Sequence, residues 1–390
     1  MDISVHAKAL GISKYSPEFE QFCKTGVPVS ILDKDNILKL EEKYGFLGEH
    51  IDPLFECADS IAPDSSLSIY GGYVAAYLAK KNIEEARRVS VPIPDENSVM
   101  RYFPLLVLCA ALPYGIEKYR ARGFSEDEIY ETIHPTFKSR LAISYDDTKK
   151  MGLDAPGFSW LRLYAIAGVF PAGVFNVTPK YFGSGALLIK NRLSGEIVPL
   201  LSGTFHRTGM PIVCDGFNDL EGSFEADVSE SEDAFFGYPA KNSRAMRERC
   251  EYRKSEWERL LSKGDGYAGL HIPHGADLSL ESMKESFDLA INLTRERYPE
   301  YNAKAVFCTS WMLDPRLKEL LGENSKISGF INQFIKFPAP SSNRDIFGFV
   351  FPRYCTEYDK LPEDTSLQRK IKELYLSGEY IFSFHGILKK

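Results

Sequence analysis

The spacing of apolar and polar positions changes twice along the chain. In the first stretch apolar residues recur at the 3.6-residue period of amphipathic helices. Ser16-Pro17-Glu18 combines an N-cap with proline in the first turn and predicts a helix through about Lys24. Asp35 to Tyr44 places Ile37, Leu38, Leu40 and Tyr44 on one stripe, and Ser65 to Lys81 reads the same way. Asp95 to Arg122 is the strongest helical segment, with Val99, Tyr102, Phe103, Leu106 and Ala110 in phase, and Gly123 ends it. Ser125-Glu126-Asp127-Glu128 has the form of a capping box and opens a further helix, expected to kink or break at Pro135.

After about residue 170 the pattern turns to short β-rich runs. These are Val174 to Val177, Ala186 to Ile189, Ile197 to Leu201 and Ser223 to Val228, with a hairpin turn at Ser194-Gly195 and an acidic loop from Glu230 to Asp233. Such a cluster predicts antiparallel pairing. The last third alternates strand and helix. Tyr267 to Ile272 reads as a strand and Pro273 to Leu278 as a loop. Ser279 caps a long helix carrying Leu280, Met283, Phe287, Ala290 and Ile291 on one face. Ala303 to Cys308 is a second strand, followed by a helix opened by Asp314-Pro315 and a helical piece from Asn324 to Phe334. Phe347 to Phe351 is read as a strand, Ser366 to Leu376 as a helix and Tyr380 to Phe384 as a final strand.

This order makes the fold class α+β: a helical domain at 1–150, then at 151–390 a mixed, mostly antiparallel sheet flanked by helices. A length of 390 residues suits two domains. Composition is that of a globular protein, 44% apolar and 26% charged. The net charge of -7 argues against nucleic acid as a partner, which calls for a basic stripe. No run approaches the roughly 20 apolar residues of a membrane span, since Phe103 to Tyr114 is interrupted by Pro104 and Pro113. The N-terminus lacks the pattern of a signal peptide, and seven cysteines stand singly without a Cys-x-x-Cys pair. A cytoplasmic protein with reduced thiols and no metal is the expectation, and oligomeric state is open.

Several segments resemble bacterial acyltransferase-domain proteins built from a helical N-acyltransferase N-domain and a GNAT-like C-terminal domain. Gly123 to Thr132 resembles the opening of that family's junction helix, and Trp160 to Phe182 is similar to its Trp-Leu-x-Leu…Gly-x-Phe stretch. Leu270-His271-Ile272-Pro273-His274-Gly275 resembles its His-Ile-Pro-x-Gly signature. Cys308 to Pro315 is similar to its Ser-Trp-Leu-Leu-Asp-Pro motif with Met312 in place of the first Leu, and Thr365 to Arg369 to its Thr-x-Leu-Gln-Arg piece. The resemblance covers roughly residues 110 to 388.

It implies an acyl-CoA-dependent N-acyltransferase, with acyl-CoA or acetyl-CoA as co-substrate and a small-molecule or peptide amine as acceptor. In that arrangement Tyr267 to Ile272 is the fourth GNAT strand, and the strand Ala303 to Cys308 splays away from it to admit the pantetheine arm. The loop Ile272, Pro273, His274, Gly275, Ala276 and the cap Ser279 would cradle the pyrophosphate at a helix N-terminus. This loop departs from the usual Arg/Gln-x-x-Gly-x-Gly/Ala by having one glycine, and Asp277 puts a carboxylate beside it. That departure favours an alternative reading, a non-catalytic GNAT-like small-molecule-binding or interaction protein.

Acyl transfer to an amine needs a base, a donor to the thioester oxygen and an acid for the thiolate. His271 is the candidate base, as against a histidine that merely hydrogen-bonds in the core. Cys308 is a candidate nucleophile paired with His271, as against a buried inert thiol. Ser310 is a candidate for substrate binding or capping, while Asp314-Pro315 and Arg369 read most simply as helix-cap and surface chemistry.

Overall fold

The computed structural model describes residues 2–80, 82–86, 88–351 and 354–389. It divides into two compact units, Met1–Phe170 and Pro171–Lys390.

The first unit is helical: α1 Ile3–Ala9, α2 Pro17–Thr25, α3 Lys34–Tyr44, α4 Ile51–Asp59, α5 Ser66–Lys80, α6 Ile83–Ala86, α7 Phe103–Ala121, α8 Glu126–Thr148 and α9 Ala155–Leu161. Local chemistry sets many of these ends. Ser16 Oγ accepts from Phe19 N at the start of α2, and Ser125 and Glu128 close the expected capping box on α8. Helix α8 continues beyond Pro135 as one helix, so of the expected kink or break there is no break. The stripe on α3 is narrower than expected, because Leu38 is 47% exposed. Lys81, the expected end of α5, lies outside the described residues.

The segment expected to be helical from Asp95 is instead capped later. Ser98 Oγ accepts from Met100 N, a 3-10 turn spans Val99–Tyr102, and α7 begins at Phe103 with proline in its first turn. Together Val99–Ala121 is long and apolar enough to cross a membrane by length and composition, contrary to the sequence expectation, since neither proline ends it. Most of it is buried inside the helical unit, against α3, α4, α5, α8 and α9. Residues 151–170 fold with this unit rather than beginning the next. Gly115 of α7 lies so close to Ala165 O that a Cβ would sit 2.4 Å from it, which fastens that segment to α7.

The second unit holds β1 Phe170–Ala172 (which begins at the boundary), β2 Phe175–Tyr181, β3 Leu187–Asn191, β4 Ile197–Leu201, β5 Gly203–Phe205, β6 Phe224–Ala226, β7 Val228–Glu230, β8 Ala234–Lys241, β9 Arg244–Ala245, β10 Cys250–Arg253, β11 Trp257–Leu261 and β12 Gly266–His271. Then come α10 Leu280–Arg297, β13 Val306–Ser310, α11 Arg316–Leu321, α12 Lys326–Asn332, β14 Phe334–Pro338, α13 Ser366–Leu376 and β15 Phe384–Leu388. One sheet has the order β1-β2-β12-β13-β15-β14, antiparallel except for the pair β12–β13. A second has the path β10-β8-β4-β3-β11, and β3 and β4 are joined at the expected Ser194-Gly195 hairpin.

The first sheet has two different faces. On one, Phe287 of α10 stacks on Phe175 and meets Phe334 edge-on, and Phe330 of α12 packs beside them. On the other, Phe307, Phe337 and Ile387 join Leu188, Leu201 and Leu261 of the second sheet in one apolar cluster. The class is therefore α+β, with a mixed, mostly antiparallel sheet between helices and a second sheet.

Three expected strands differ. Ser223 to Val228 is split, since β6 pairs with β5 while β7 pairs with β8. Phe347 to Phe351 is a tight loop, closed by Gly348 N donating to Phe351 O, with Gly348 at φ +85°. The final strand starts at Phe384 and not at Tyr380 because side chains capture the preceding backbone. Arg316 donates to Tyr380 O, and Phe382 N donates to Asp314 Oδ2 at 2.9 Å. The expected helical piece ending at Phe334 stops at Asn332, and Phe334 opens β14 on the edge of β15. On α10, Leu280 is exposed and outside the apolar face.

Candidate active site

The parallel pair β12–β13 is in register from Ala268↔Val306 to Leu270↔Cys308, where its ladder ends. Both strands run on with other partners, His271 opposite Asn176 and Ser310 opposite Phe384. His271 on β12 and Thr309 on β13 thus stand just beyond the ladder that the two strands share.

Side chains alternate across a sheet, so register decides which residues share a face. Cys308 lies opposite Leu270 and points with it to the helix-packed face. His271 is one residue further and points to the face of the second sheet. The expected Cys308–His271 pair is therefore ruled out by the pleat. Cys308 is 2% exposed, and burial pushes its thiol up to about 12, which holds it protonated at neutral pH. Replacing Cys308 with alanine is expected to leave any acyl-transfer rate within about twofold after allowing for a core-cavity cost. Native protein should accordingly show no modification of this thiol by iodoacetamide on the timescale of exposed cysteines, as read by peptide mapping.

Ser310 shares the face of Cys308, and its Oγ accepts from Met312 N at 3.1 Å, so it caps the 3-10 turn Trp311–Leu313. The three candidate residues are thus divided, with His271 on one face and Cys308 and Ser310 on the other.

On the face of His271 the structure assembles a polar row that the sequence reading missed. Its Nε2 lies 3.1 Å from Thr178 Oγ1 of β2. On β13, Thr309 Oγ1 is 2.8 Å from Nδ1 of His385 on β15, its partner in register. The row Thr178, His271, Thr309, His385 crosses four adjacent strands. His385 is partly exposed, and burial pushes its imidazole down to about 4, so the ring is neutral at physiological pH. One signal was available: Phe382, Phe384 and His385 lie in an alternating run, but the expected strand stopped one residue short.

The motif Asp314-Pro315 does more than start a helix. Asp314 is wholly buried, and its carboxylate accepts from Arg316 N, Arg316 Nε, Arg316 Nη2 at 2.6 Å and Phe382 N. It ties the turn after β13 to the segment leading into β15, fixing the two strands that carry Thr309 and His385. Arg369 behaves as surface chemistry, donating to Glu363 O at 2.7 Å.

Beyond His271 the chain enters the loop 272–279. His274 and Gly275 are exposed, Gly275 has φ +77°, and nothing lies within 4 Å of where its Cβ would be. Ala276 N donates to Pro273 O, forming a turn. Among the described residues, the amides of Gly275, Asp277, Leu278, Leu280 and Glu281 have no acceptor within the chain. These amides stand in the loop before α10 and in its first turn, where the helix N-terminus adds partial positive charge, an arrangement suited to an anion. The side chain of Ser279 makes no cap bond to the helix backbone, and Asp277 accepts from Ser279 N at 3.1 Å in the turn before the helix. Asp277 also accepts from Lys326 Nζ, Ser279 Oγ and Ser282 Oγ; Lys326 foremost holds its carboxyl well below the usual range. The carboxylate that the sequence sets against a phosphate is thus neutralised by its own lysine.

Residues 217–388 match the model of the GNAT-like C-terminal domain. No curated protein sequence matches the chain significantly. Among solved structures, the chain is similar to an acyltransferase variant in complex with octanoyl-CoA, at 17% identity and a TM-score of 0.68. It is also similar to an acyltransferase in complex with decanoyl-CoA, at 18% identity and a TM-score of 0.64. A third similar structure is an acyltransferase with CoA and 10C-teicoplanin, at 17% identity and a TM-score of 0.67. Each comparison covers 100% of this chain and 99% of the other. At such identities the likeness is one of fold, and it extends over both units. The chain carries a GNAT-like C-terminal domain behind a helical N-terminal region.

Proposed function

We propose that this protein is an acyl-CoA-dependent N-acyltransferase whose acceptor is an amine on a small molecule or peptide. The observation that carries this reading is the end of the parallel β12–β13 ladder directly before a loop of amides without intrachain acceptors, with the His271 imidazole at that end. Similar folds with octanoyl-CoA, decanoyl-CoA and teicoplanin support the choice of donor and of a peptide-like acceptor.

In this reading the amides of Gly275, Asp277, Leu278, Leu280 and Glu281 at the α10 N-terminus hold the pyrophosphate, and the pantetheine arm enters between β12 and β13. His271 takes the proton from the attacking amine. Donation of its Nε2–H to Thr178 Oγ1 would put the lone pair on Nδ1 and fix the ring plane. The amine nitrogen bonds to the thioester carbon, the C–S bond breaks, and the CoA thiolate leaves and is protonated. Thr309 and His385 stand on the neighbouring strands and present neutral polar groups to the acceptor. Seven free cysteines suit a reducing, cytoplasmic setting.

The reading in which the domain binds a ligand without catalysis draws on one observation, the Asp277 carboxylate already set at the helix N-terminus. Titration calorimetry with CoA and decanoyl-CoA tests donor binding. Saturable binding is expected, weakened about tenfold or more in Gly275→Val, whose branched side chain disfavours the left-handed backbone that this loop requires. Absence of binding by folded wild-type protein would remove the donor site.

A further inference from the structure

The hairpin between β8 and β9 turns on Asn242 and Ser243, both with positive φ, and presents Arg244 beside the loop that follows β5. Its guanidinium lies 5.7 Å from the centroid of the Phe217 ring, which also meets His206 and Phe382. Among the described residues no oxygen of the chain accepts a hydrogen bond from this guanidinium, and Nη1 is fully buried. Burial pushes its ionisation down from the usual value, and Asp314, Arg316 and Cys214 are the ionisable groups that act on it.

The carboxylates in this part of the unit are committed elsewhere. Asp314 is bound to Arg316 and Phe382 N. Asp219 pairs with Arg207 at 2.7 Å, Asp345 accepts from Ser341 and Ser383, and Asp215 accepts from Asn343 N. Arg244 is left as a half-buried cation that lies against Phe217 and, among the described residues, donates to no protein oxygen. Such a group costs stability in the unliganded chain, and a planar guanidinium in that state is matched by a two-oxygen anion.

We propose that Arg244 is a binding residue for a carboxylate on the acceptor, a proposal that rests on the acyl-transfer reading. The donor's phosphates are assigned to the N-terminus of α10, on the helix-packed face of the first sheet. Arg244 belongs to the sheet covering the opposite face, where Ala245 joins the cluster of Phe307 and Phe337. Its anion therefore comes from the other substrate.

The test uses the full chain and Arg244→Gln, with N-acetylglycine, its uncharged analogue N-acetylglycinamide, inorganic phosphate and CoA as probes. Calorimetry should show saturable binding of N-acetylglycine to wild type, about tenfold weaker binding in the variant, and none of the amide. CoA affinity should be the same in both proteins. The unliganded variant should melt no lower than wild type, because an uncompensated cation has been removed. No N-acetylglycine binding by wild type, or equal binding by both proteins with a lowered melting temperature in the variant, would make Arg244 a structural residue. A loss confined to phosphate or CoA would assign the anion to the donor and overturn the proposal. Failure of wild type to bind CoA would count against the acyl-CoA reading instead, so the two failures are told apart.

Discussion

Replacing His271 with alanine should lower acyl transfer by about 10²- to 10⁴-fold, the usual contribution of a positioned general base. The loss should fall on kcat, with decanoyl-CoA affinity unchanged, because the imidazole stands at the end of the β12–β13 ladder and not in the loop of free amides. Thr178→Val should give a smaller loss of the same kind, since the 3.1 Å contact to Nε2 orients the ring without touching the reacting atoms. A steady-state comparison with calorimetry checks both. If His271→Ala retains the wild-type rate, the base lies elsewhere on the row, and His385 becomes the residue to examine.

The second large effect is on stability. Asp314→Ala removes a fully buried carboxylate, leaving Phe382 N without its acceptor and Arg316 without its buried counter-charge. Breaking one side of a buried ion pair costs about 3–5 kcal/mol. That corresponds to a fall on the order of 10 °C in the melting temperature of a unit of this size. The double replacement Asp314→Ala with Arg316→Met should recover part of the loss, since it leaves no unpaired buried charge. Thermal unfolding of the two single variants and the double variant measures the coupling. Additive losses would show that the pair is not the brace between β13 and β15.

Much of the fold follows from signals confined to a few residues. The capping boxes at Ser125/Glu128 and Thr365/Gln368 and the Ser194-Gly195 turn are local chemistry, and all three stand in the structure. The final strand was misplaced because Asp314 and Arg316, more than 60 residues away in sequence, capture the backbone of 380–382. No local pattern carries that information. The candidate site was legible in part for the same reason. His271 and its loop sit in one contiguous motif, so their order along strand, loop and helix could be read directly. Whether Cys308 faces His271 depends on the register between two strands separated by α10, and one residue of shift reverses the answer. Thr309 and His385 become neighbours only through the pairing of β13 with β15, and neither belongs to a motif of its own.

Incubating the protein with decanoyl-CoA and a panel of amines, including an amino-sugar glycopeptide, and following products by mass spectrometry tests the central claim most directly. The account predicts an N-decanoyl product with matching release of CoA, and its loss in His271→Ala. Saturable binding of decanoyl-CoA without an acylated product for any amine in the panel would contradict catalysis and leave a binding protein built on an acyltransferase fold.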